Sequence, residues 1–198
     1  MTLEPLRPPE RIEVITKGLA ESTKKNGYEV KITQGAEKLI ADLSEGYPHF
    51  IQQFAYSAFD QDKDNEIDEV DVVSGAFEKE GGAIRQLGIR YFEGLYFDQI
   101  WSDEYREVLR AMSEHMDGWV DKRTLRKETG LRESTLANAL TALKKKNIIV
   151  PQRGKKGVYR LPTRSFSVWI NAFTRATREK EVVKATPSDS AELSAQKP

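Results

Sequence analysis

The chain has 198 residues, which suits one or two small domains, and 38% of them are hydrophobic, enough to form a buried core. It contains no cysteine, which excludes disulfides and thiolate metal sites, and no run of about eighteen apolar residues that could cross a membrane. Residues 1–118 contain 13 basic and 24 acidic side chains, whereas residues 119–180 contain 16 and 4. A segment with this excess of positive charge attracts polyanions. The N-terminus has no apolar signal core, and we expect a cytoplasmic protein.

Four helices are predicted in residues 1–80, which we interpret as one helical domain. The first begins at Pro8, because a proline in the first turn of a helix costs no hydrogen bond. Thr33 is a suitable N-cap for the second helix, and the third follows the break at Pro48. Asp68 is a suitable cap for the fourth. Apolar residues recur on one face of each helix, as expected for a bundle.

An acidic loop between the third and fourth helices matches much of a calcium-binding EF-hand loop. Oxygen-bearing side chains have the spacing of calcium ligands, with Ile67 at the apolar eighth position. Asn65 replaces the usual glycine, the shorter Asp71 replaces the final glutamate, and the loop is single where EF-hands usually occur in pairs. We therefore favour an exposed acidic turn and predict no metal. The candidate calcium ligands are Asp60, Asp62, Asp64, Glu66, Asp68 and Asp71.

Three further parts follow the helical domain. Gly81-Gly82 indicates a boundary, and an aromatic-rich helix over residues 83–98 is predicted to connect two domains within residues 81–102. Residues 103–180 are predicted to form a winged-helix domain with an additional C-terminal helix. Residues 181–198 are small, polar and proline-containing, and we predict a disordered tail because such a segment buries too little apolar surface.

Residues 117–162 have the pattern of a helix-turn-helix followed by a β-hairpin. The first helix is predicted over residues 122–129 and ends before Gly130, a residue that favours helix ends. The second is predicted over residues 132–146. Its apolar residues recur at helical spacing and predict a buried stripe of Leu136, Ala139, Leu140 and Leu143. The hairpin is predicted from strands at residues 148–150 and 158–161, with a basic turn at residues 153–157.

A polar, basic second helix beside a basic hairpin is typical of winged helices that bind DNA. The helix fits the major groove, while Lys and Arg of the hairpin contact phosphates. The predicted contacts are Arg132, Ser134, Thr135, Asn138, Lys144, Lys145, Arg153, Lys155 and Lys156. The alternative is that these lysines form a solvated face, since many winged helices bind only protein.

Residues that could carry catalysis are not grouped in the sequence. His49 and His115 are far apart and have no evident ligand partners, so each is interpreted as a surface or capping residue. A phosphate-binding GxxxxGK[ST] loop is absent from the sequence. We expect a protein that is not an enzyme by itself and needs no cofactor.

Two stretches precede the predicted winged helix: LEPLRPPERIEVITKGL at residues 3–19 and ITQGAEKLIADLSEGYPHFIQQFAYSAFD at residues 32–60. In this order, the two stretches and the winged helix resemble the C-terminal portion of AAA-type ATPases, in the branch that includes the archaeal and bacterial origin-recognition-like ATPases. In that family a Leu-x-Pro-Leu stretch, here Leu3-Glu4-Pro5-Leu6, leaves the nucleotide-binding core and enters a helical lid.

The resemblance implies a mainly α fold: a helical lid-like bundle followed by a winged helix-turn-helix with a small β-hairpin. It also implies that His49 begins the lid helix that faces nucleotide, at the place where many members have an arginine that touches the γ-phosphate. The family's phosphate loop and acidic magnesium-binding strand are absent from these residues. We therefore expect no ATP hydrolysis by this chain, and ATP and magnesium as cofactors only where a separate core supplies them. The chain is then either a fragment of a longer ATPase or a stand-alone lid and winged helix.

Two functions are open at this point. The leading hypothesis is duplex DNA binding by the winged helix, with weak sequence preference. The alternative is a protein-interaction or regulatory segment that couples nucleotide state between ATPase subunits, with an ATPase core or identical subunits as partners.

Overall fold

The computed structural model describes residues 5–78 and 81–185, with only the backbone for residue 78 and residues 175–185. The N-terminal half is a helical bundle. Its helices are α1 (Pro8–Asn26), α2 (Gln34–Leu43), α3 (Pro48–Phe59) and α4 (Glu69–Val73), and α4 continues in wider helical turns over Ser74–Glu78. Two short parallel strands, β1 (Lys31–Ile32) and β2 (Glu66–Ile67), pair the connection before α2 with the connection before α4.

The ends of these helices follow the local chemistry of the sequence. The hydroxyl of Thr33 accepts a hydrogen bond from the amide of Ala36 at 3.1 Å, as an N-cap does. The Asp68 carboxylate accepts two bonds from amides in the first turn of α4, at 2.8 and 3.0 Å. Gly27 ends α1 with φ 77°, a left-handed conformation that glycine adopts at little cost. The predicted starts of the four helices are confirmed.

The connecting segment is helical over residues 83–98 but is not a regular α-helix. α5 (Ala83–Leu87) is followed by wider turns over Gly88–Phe92 and Gly94–Asp98. The first of these turns lies against the buried indole of Trp169. A Cβ atom placed on Gly88 would lie 2.0 Å from the indole nitrogen, so only glycine allows this approach.

The C-terminal half contains a helix-turn-helix, a small sheet and a long closing helix. Its helices are α6 (Asp103–Glu114), α7 (Lys122–Thr129), α8 (Glu133–Lys145) and α9 (Arg164–Ala185). Its strands are β3 (Val120–Asp121), β4 (Val150–Pro151) and β5 (Val158–Arg160), in the order β3-β5-β4 with antiparallel pairing throughout. We call residues 150–160 the wing. The bounds of α7 and α8 match the predictions within one residue.

The sheet differs from the predicted two-stranded hairpin in two respects. A third strand, β3, pairs Val120 with Tyr159 on the outer side of β5. Ile148 and Ile149 were predicted as strand, yet pairing begins only at Val150, because both isoleucines are buried in the core just after α8 ends. The strand was predicted from the apolar side chains of these residues, and a buried connection contains apolar side chains just as a strand does.

The two halves share one core and are joined by a carboxylate. Glu45, in the α2–α3 connection, accepts hydrogen bonds from the first two amides of α9, those of Arg164 and Ser165, at 2.6 and 3.2 Å. Burial raises the pKa of Glu45, while these amide bonds oppose the shift. The Ser165 hydroxyl donates to the carbonyl of Leu43 at 3.4 Å. The N-terminal bundle therefore caps the closing helix of the C-terminal half.

The predicted fold class is confirmed: the protein is mainly α, with a helical bundle followed by a helix-turn-helix and a small β-hairpin. α9 continues to Ala185, five residues into the segment predicted as a tail, and residues 186–198 lie outside the described residues. Leu3 and Glu4 of the predicted exit from an ATPase core also lie outside them. Within the described part of the chain, every helix is too short or too polar to span a membrane.

We predict that Gly88→Ala lowers the free energy of unfolding by about 1–3 kcal/mol, because the added methyl group overpacks the core against Trp169. The matched control is Gly18→Ala in α1, where nothing lies within 4 Å of the new Cβ atom. This control should gain about 0.5–1 kcal/mol from the higher helix propensity of alanine. Urea unfolding measures both, and equal effects of the two changes would contradict the packing assigned to Gly88.

Candidate nucleic-acid interface

α8 has one buried face and one face open to solvent. The buried face consists of Leu136, Ala139, Leu140 and Leu143, all at most 2% exposed, as predicted. At 100° per residue, the opposite side carries the outermost stripe. This stripe contains Ser134, Asn138, Thr141 and Lys145, which are all exposed. The core therefore needs none of these four side chains, and they can meet a ligand.

The other predicted contacts of α8 lie around this stripe. Arg132 is exposed and occupies the N-cap position, and Lys144 is exposed in the last turn. Thr135 is only partly exposed, because it lies on the flank that turns toward the connecting segment. On that same flank, Lys146 donates a hydrogen bond to the carbonyl of Gln99 at 2.6 Å. Thr135 is therefore the least accessible of the predicted contacts.

The basic turn of the wing is exposed and adjoins α8. Arg153, Lys155 and Lys156 are all exposed, and left-handed glycines at positions 154 and 157 form the turn that presents them. Lys156 borders an open groove of about 640 Å³ between the wing and α8. We call this the wing groove. Its lining consists of Asp121, Lys122, Arg123, Ala137, Leu140, Thr141, Lys156, Gly157 and Tyr159.

The wing groove joins surfaces that are separate in sequence. Ala137 and Thr141 of α8 line it together with Lys156 of the wing, so the helix and the hairpin form one continuous surface. Arg153 and Lys155 belong to the same turn but do not line the groove. Among the residues that the structure describes, none of the cationic side chains predicted as contacts makes an ion pair with a carboxylate. Their charge is available to an anionic ligand.

Two cationic residues at this surface were not among the predicted contacts. Lys122 and Arg123 begin α7, and they line the wing groove because the amide of Lys122 donates to the carbonyl of Gly157 at 2.9 Å. Asp121 fixes this start by accepting bonds from the amides of Arg123 and Thr124, at 2.8 and 3.0 Å. In the sequence, Asp121 is a suitable cap that indicates a helix start at Lys122 and Arg123. The position of these two residues beside the wing depends on strand β3, which was not predicted.

Besides Asp121, which lines the wing groove, a second acidic residue interrupts the basic surface. Glu133, in the first turn of α8, forms ion pairs with Lys122 and, at 3.3 Å, with Arg126. The hydrogen bond from Lys122 lowers the pKa of Glu133, so this carboxylate stays ionised at neutral pH. It would repel a phosphate while holding two cations that could otherwise bind one.

On the outer side of the sheet, cationic side chains contact an aromatic ring or a carboxylate. The Arg160 guanidinium lies over the ring of Trp119, 5.1 Å from its centroid. Trp119 remains 42% exposed. Nearby, Arg164 pairs with Asp117 at 2.8 Å. Arg160 and Arg164 are therefore held by partners, as Lys122 is by Glu133, whereas Arg123 and Lys156 at the wing groove form no ion pair in the described part of the chain.

His49 lies in an aromatic cluster on the N-terminal bundle. Its ring is 4.8 Å from that of Phe50 and 4.7 Å from that of Tyr91, measured between centroids. Partial burial lowers the pKa of His49, and the positive charge of Arg90 lowers it further. This lowered pKa favours the neutral ring of His49 over the imidazolium. Whether it faces a nucleotide stays a prediction.

The acidic loop uses its carboxylates to fold its own backbone. Asp62 accepts bonds from the amides of Asp64 and Asn65, and Asp71 accepts from the amide of Asp68 in a capping box. Over the described residues, no group of three or more acidic or histidine side chains is arranged to hold a metal ion. The alternative of a calcium site at Asp60, Asp62, Asp64, Glu66, Asp68 and Asp71 therefore receives no support from the geometry.

Comparison with known proteins bears on the fold alone. No protein-family profile matches the sequence, and no curated protein is significantly similar to it. A Walker-type ATPase of Pyrococcus abyssi has a similar structure, with a TM-score of 0.57 and 15% sequence identity. The match covers 84% of this chain and 42% of that ATPase. The fold is therefore shared with part of a Walker-type ATPase.

A RuvB variant of Thermotoga maritima is a second structural neighbour. The sequence identity is 16%, and the match covers 90% of this chain and 50% of that one. The TM-score is 0.38, too low for this likeness to support a conclusion.

Proposed function

We propose that this chain is the DNA-binding region of an AAA-type ATPase and binds duplex DNA through α8 and the wing. The observation that carries the proposal is the wing groove, which joins Lys156 to Ala137 and Thr141 on the outward side of α8. A polyanion lying across this groove would meet helix and hairpin together. The acidic N-terminal half would repel it elsewhere, which limits contact to one face.

The contacts on α8 and the wing have different roles in this proposal. Ser134, Asn138, Thr141 and Lys145 point outward from α8, the element that fits the major groove, and can read base edges. Arg153, Lys155 and Lys156 approach the flanking phosphates, which position the protein without reading sequence. With one amide and two hydroxyls on the stripe, the sequence preference is weak.

We propose no catalysis by these residues and no cofactor of their own. The fold shared with part of a Walker-type ATPase supports a role beside a nucleotide-binding core, which would supply ATP and magnesium. His49 is the residue through which such a core would meet this chain. Its neutral ring offers stacking or a hydrogen bond rather than charge.

The double variant Lys155→Glu, Lys156→Glu should weaken duplex binding at least tenfold. It should also flatten the dependence of log K on log salt by about two, because each lost phosphate contact removes about 0.9 from the slope. Fluorescence anisotropy with a random duplex at several salt concentrations measures both quantities.

The matched control for that variant is Lys24→Glu, Lys25→Glu at the end of α1, which changes the net charge equally in the N-terminal half. Its affinity and salt slope should stay close to those of the wild type. Equal losses in the two variants would mean that only net charge matters, and unchanged binding in the wing variant would overturn the proposal.

Glu133→Gln should strengthen duplex binding about two- to fivefold, the range of exposed ion-pair energies. It removes a carboxylate that faces the phosphates and releases Lys122 and Arg126 to bind them. The control is Glu13→Gln, which likewise breaks an exposed ion pair, with Lys17 at 2.6 Å, but on α1. Anisotropy titrations that give Glu133→Gln no advantage over Glu13→Gln would remove Lys122 and Arg126 from the interface.

A second candidate function is an interaction segment that couples nucleotide state between ATPase subunits. Exposed aromatic side chains favour it: Trp101 is 87% exposed, Tyr56 is 66% exposed and Phe97 is 44% exposed. Tyr56 also borders an apolar groove of about 470 Å³ between α1 and α3. Exposed apolar surface of this kind marks interaction sites in soluble proteins.

For identical subunits, this second function predicts an apparent mass that rises with concentration in sedimentation experiments. The double variant Tyr56→Ser, Trp101→Ser should remain monomeric at concentrations where the wild type associates, because it loses the exposed rings. A monomeric wild type at every concentration would exclude identical subunits as the partner.

A further inference from the structure

The floor of the wing groove has a chemistry that a DNA duplex does not use. The floor is apolar and partly aromatic, formed by Ala137, Leu140 and Tyr159. The two rims of the groove carry cations, Arg123 from the start of α7 and Lys156 from the wing. Arg123 and Lys156 are exposed, and in the described part of the chain neither forms an ion pair. Lys122, which pairs with Glu133, and the carboxylate of Asp121, which accepts the first amides of α7, also line the groove. A volume of about 640 Å³ lies within the range of sites that hold small ligands, roughly 300–1,000 Å³.

The position of Tyr159 leaves its ring available to a ligand. Tyr159 is the central residue of β5 and pairs with Val120 on one side and Pro151 on the other. It is partly exposed, and it stacks on no other ring in the described residues. Leu140 and Ala137 extend the apolar surface beside it. This floor suits a flat, weakly polar group.

Gly157 keeps the groove open at the wing. Its φ of 79° is a left-handed conformation, and its carbonyl accepts the bond from the amide of Lys122 at 2.9 Å. This contact holds the start of α7 beside the wing and so fixes the distance between the two cationic rims. The groove is therefore built by the fold rather than by mobile side chains.

Paired bases cannot use this floor, because in a duplex only their edges and the sugar-phosphate backbone are accessible. An unpaired nucleotide can, since its base has an open face that stacks on aromatic and apolar side chains. Its two flanking phosphates would lie at the two cationic rims. The groove is also continuous with the outward face of α8, which is proposed to hold duplex.

We propose that the wing groove binds an unpaired nucleotide adjoining the duplex, so that the protein prefers duplexes with a single-stranded overhang to blunt duplexes. This inference rests on the proposed function, because the duplex places the overhang at the groove. The base stacks on Tyr159, while Arg123 and Lys156 bind its phosphates.

The test compares anisotropy titrations of a blunt duplex with those of the same duplex carrying a three-nucleotide overhang, at the 3′ or the 5′ end. The wild type should bind one of the overhang duplexes about tenfold more tightly, the order that one stacked base supplies. A 2-aminopurine in the first overhang position should lose fluorescence on binding, as a stacked base does.

Two variants assign the preference to the groove. Ala137→Gln puts a longer, helix-compatible side chain on the floor, and Tyr159→Leu removes the aromatic ring; both should reduce the ratio of overhang to blunt affinity to about one. The matched control is Ala142→Gln on the other flank of α8, which does not line the groove and should keep the tenfold ratio. Circular dichroism checks that each variant is folded.

The outcomes separate this inference from the proposed function. Blunt duplex bound as tightly as the overhang duplexes would overturn the inference and leave duplex binding intact. Binding of neither would overturn the proposed function and the inference with it. An overhang preference that survives both Ala137→Gln and Tyr159→Leu would place the unpaired nucleotide elsewhere and overturn the assignment to this groove.

Discussion

Burial of the Trp169 side chain holds the two halves of the protein together. The indole is fully buried and contacts the rings of Phe92, Tyr96 and Phe97 from the connecting segment, with centroids 5.6–6.1 Å apart. On its own helix it stacks on Phe166. α9 also packs along α6, which in turn packs on α8, so this side chain ties the helix-turn-helix to the connecting segment. Burying so large an aromatic group stabilises the fold, and the buried Nε1–H, which has no hydrogen-bond partner among the described residues, offsets part of this gain.

Because of this packing, the boundary between the acidic and the basic part of the chain coincides with the boundary between the two halves of the structure. α6 packs on α9 and on the apolar side of α8, so the polar side of α8 stays outside. The wing and the start of α7 then add cations at its edge. The N-terminal half is acidic overall, and some of its cations pair with carboxylates, for example Lys17 with Glu13 and Arg85 with Glu93. Arg123 and Lys156, which line the wing groove without an ion pair among the described residues, belong to the basic half.

The two candidate functions use different parts of the same frame. DNA binding needs the wing groove. Subunit coupling needs the exposed side chains of Tyr56, Phe97 and Trp101 and the α2–α3 connection. Glu45 joins that connection to the first turn of α9. His49 lies in the first turn of α3, directly after the connection. The carboxylate makes two bonds at a site where burial favours its neutral form. A molecule that moved the α2–α3 connection would therefore act directly on the helix that carries Trp169.

The sequence by itself determined the helices, their caps and the polarity of α8. Local rules decide these features: Thr33, Asp68 and Gly130 act on their own helix ends, and the spacing of Leu136, Leu140 and Leu143 defines a buried face. It also located the cations of the wing, since exposed charge needs no partner to be placed at a surface. Ile148 and Ile149 were assigned wrongly because a buried connection and a strand have the same apolar pattern.

Only the tertiary structure decided which surfaces meet. Strand β3 has two residues, too few for a pattern, and its pairing with β5 brings Lys122 and Arg123 to the wing. The bond from Glu45 to α9 joins residues about 120 positions apart, and no local signal predicts such a contact. The wing groove arises from the same cause, because Ala137, Lys156 and Tyr159 become neighbours only when the sheet closes against α8. Secondary-structure propensity depends on short stretches of sequence, whereas a site shared by several elements depends on how their buried faces pack.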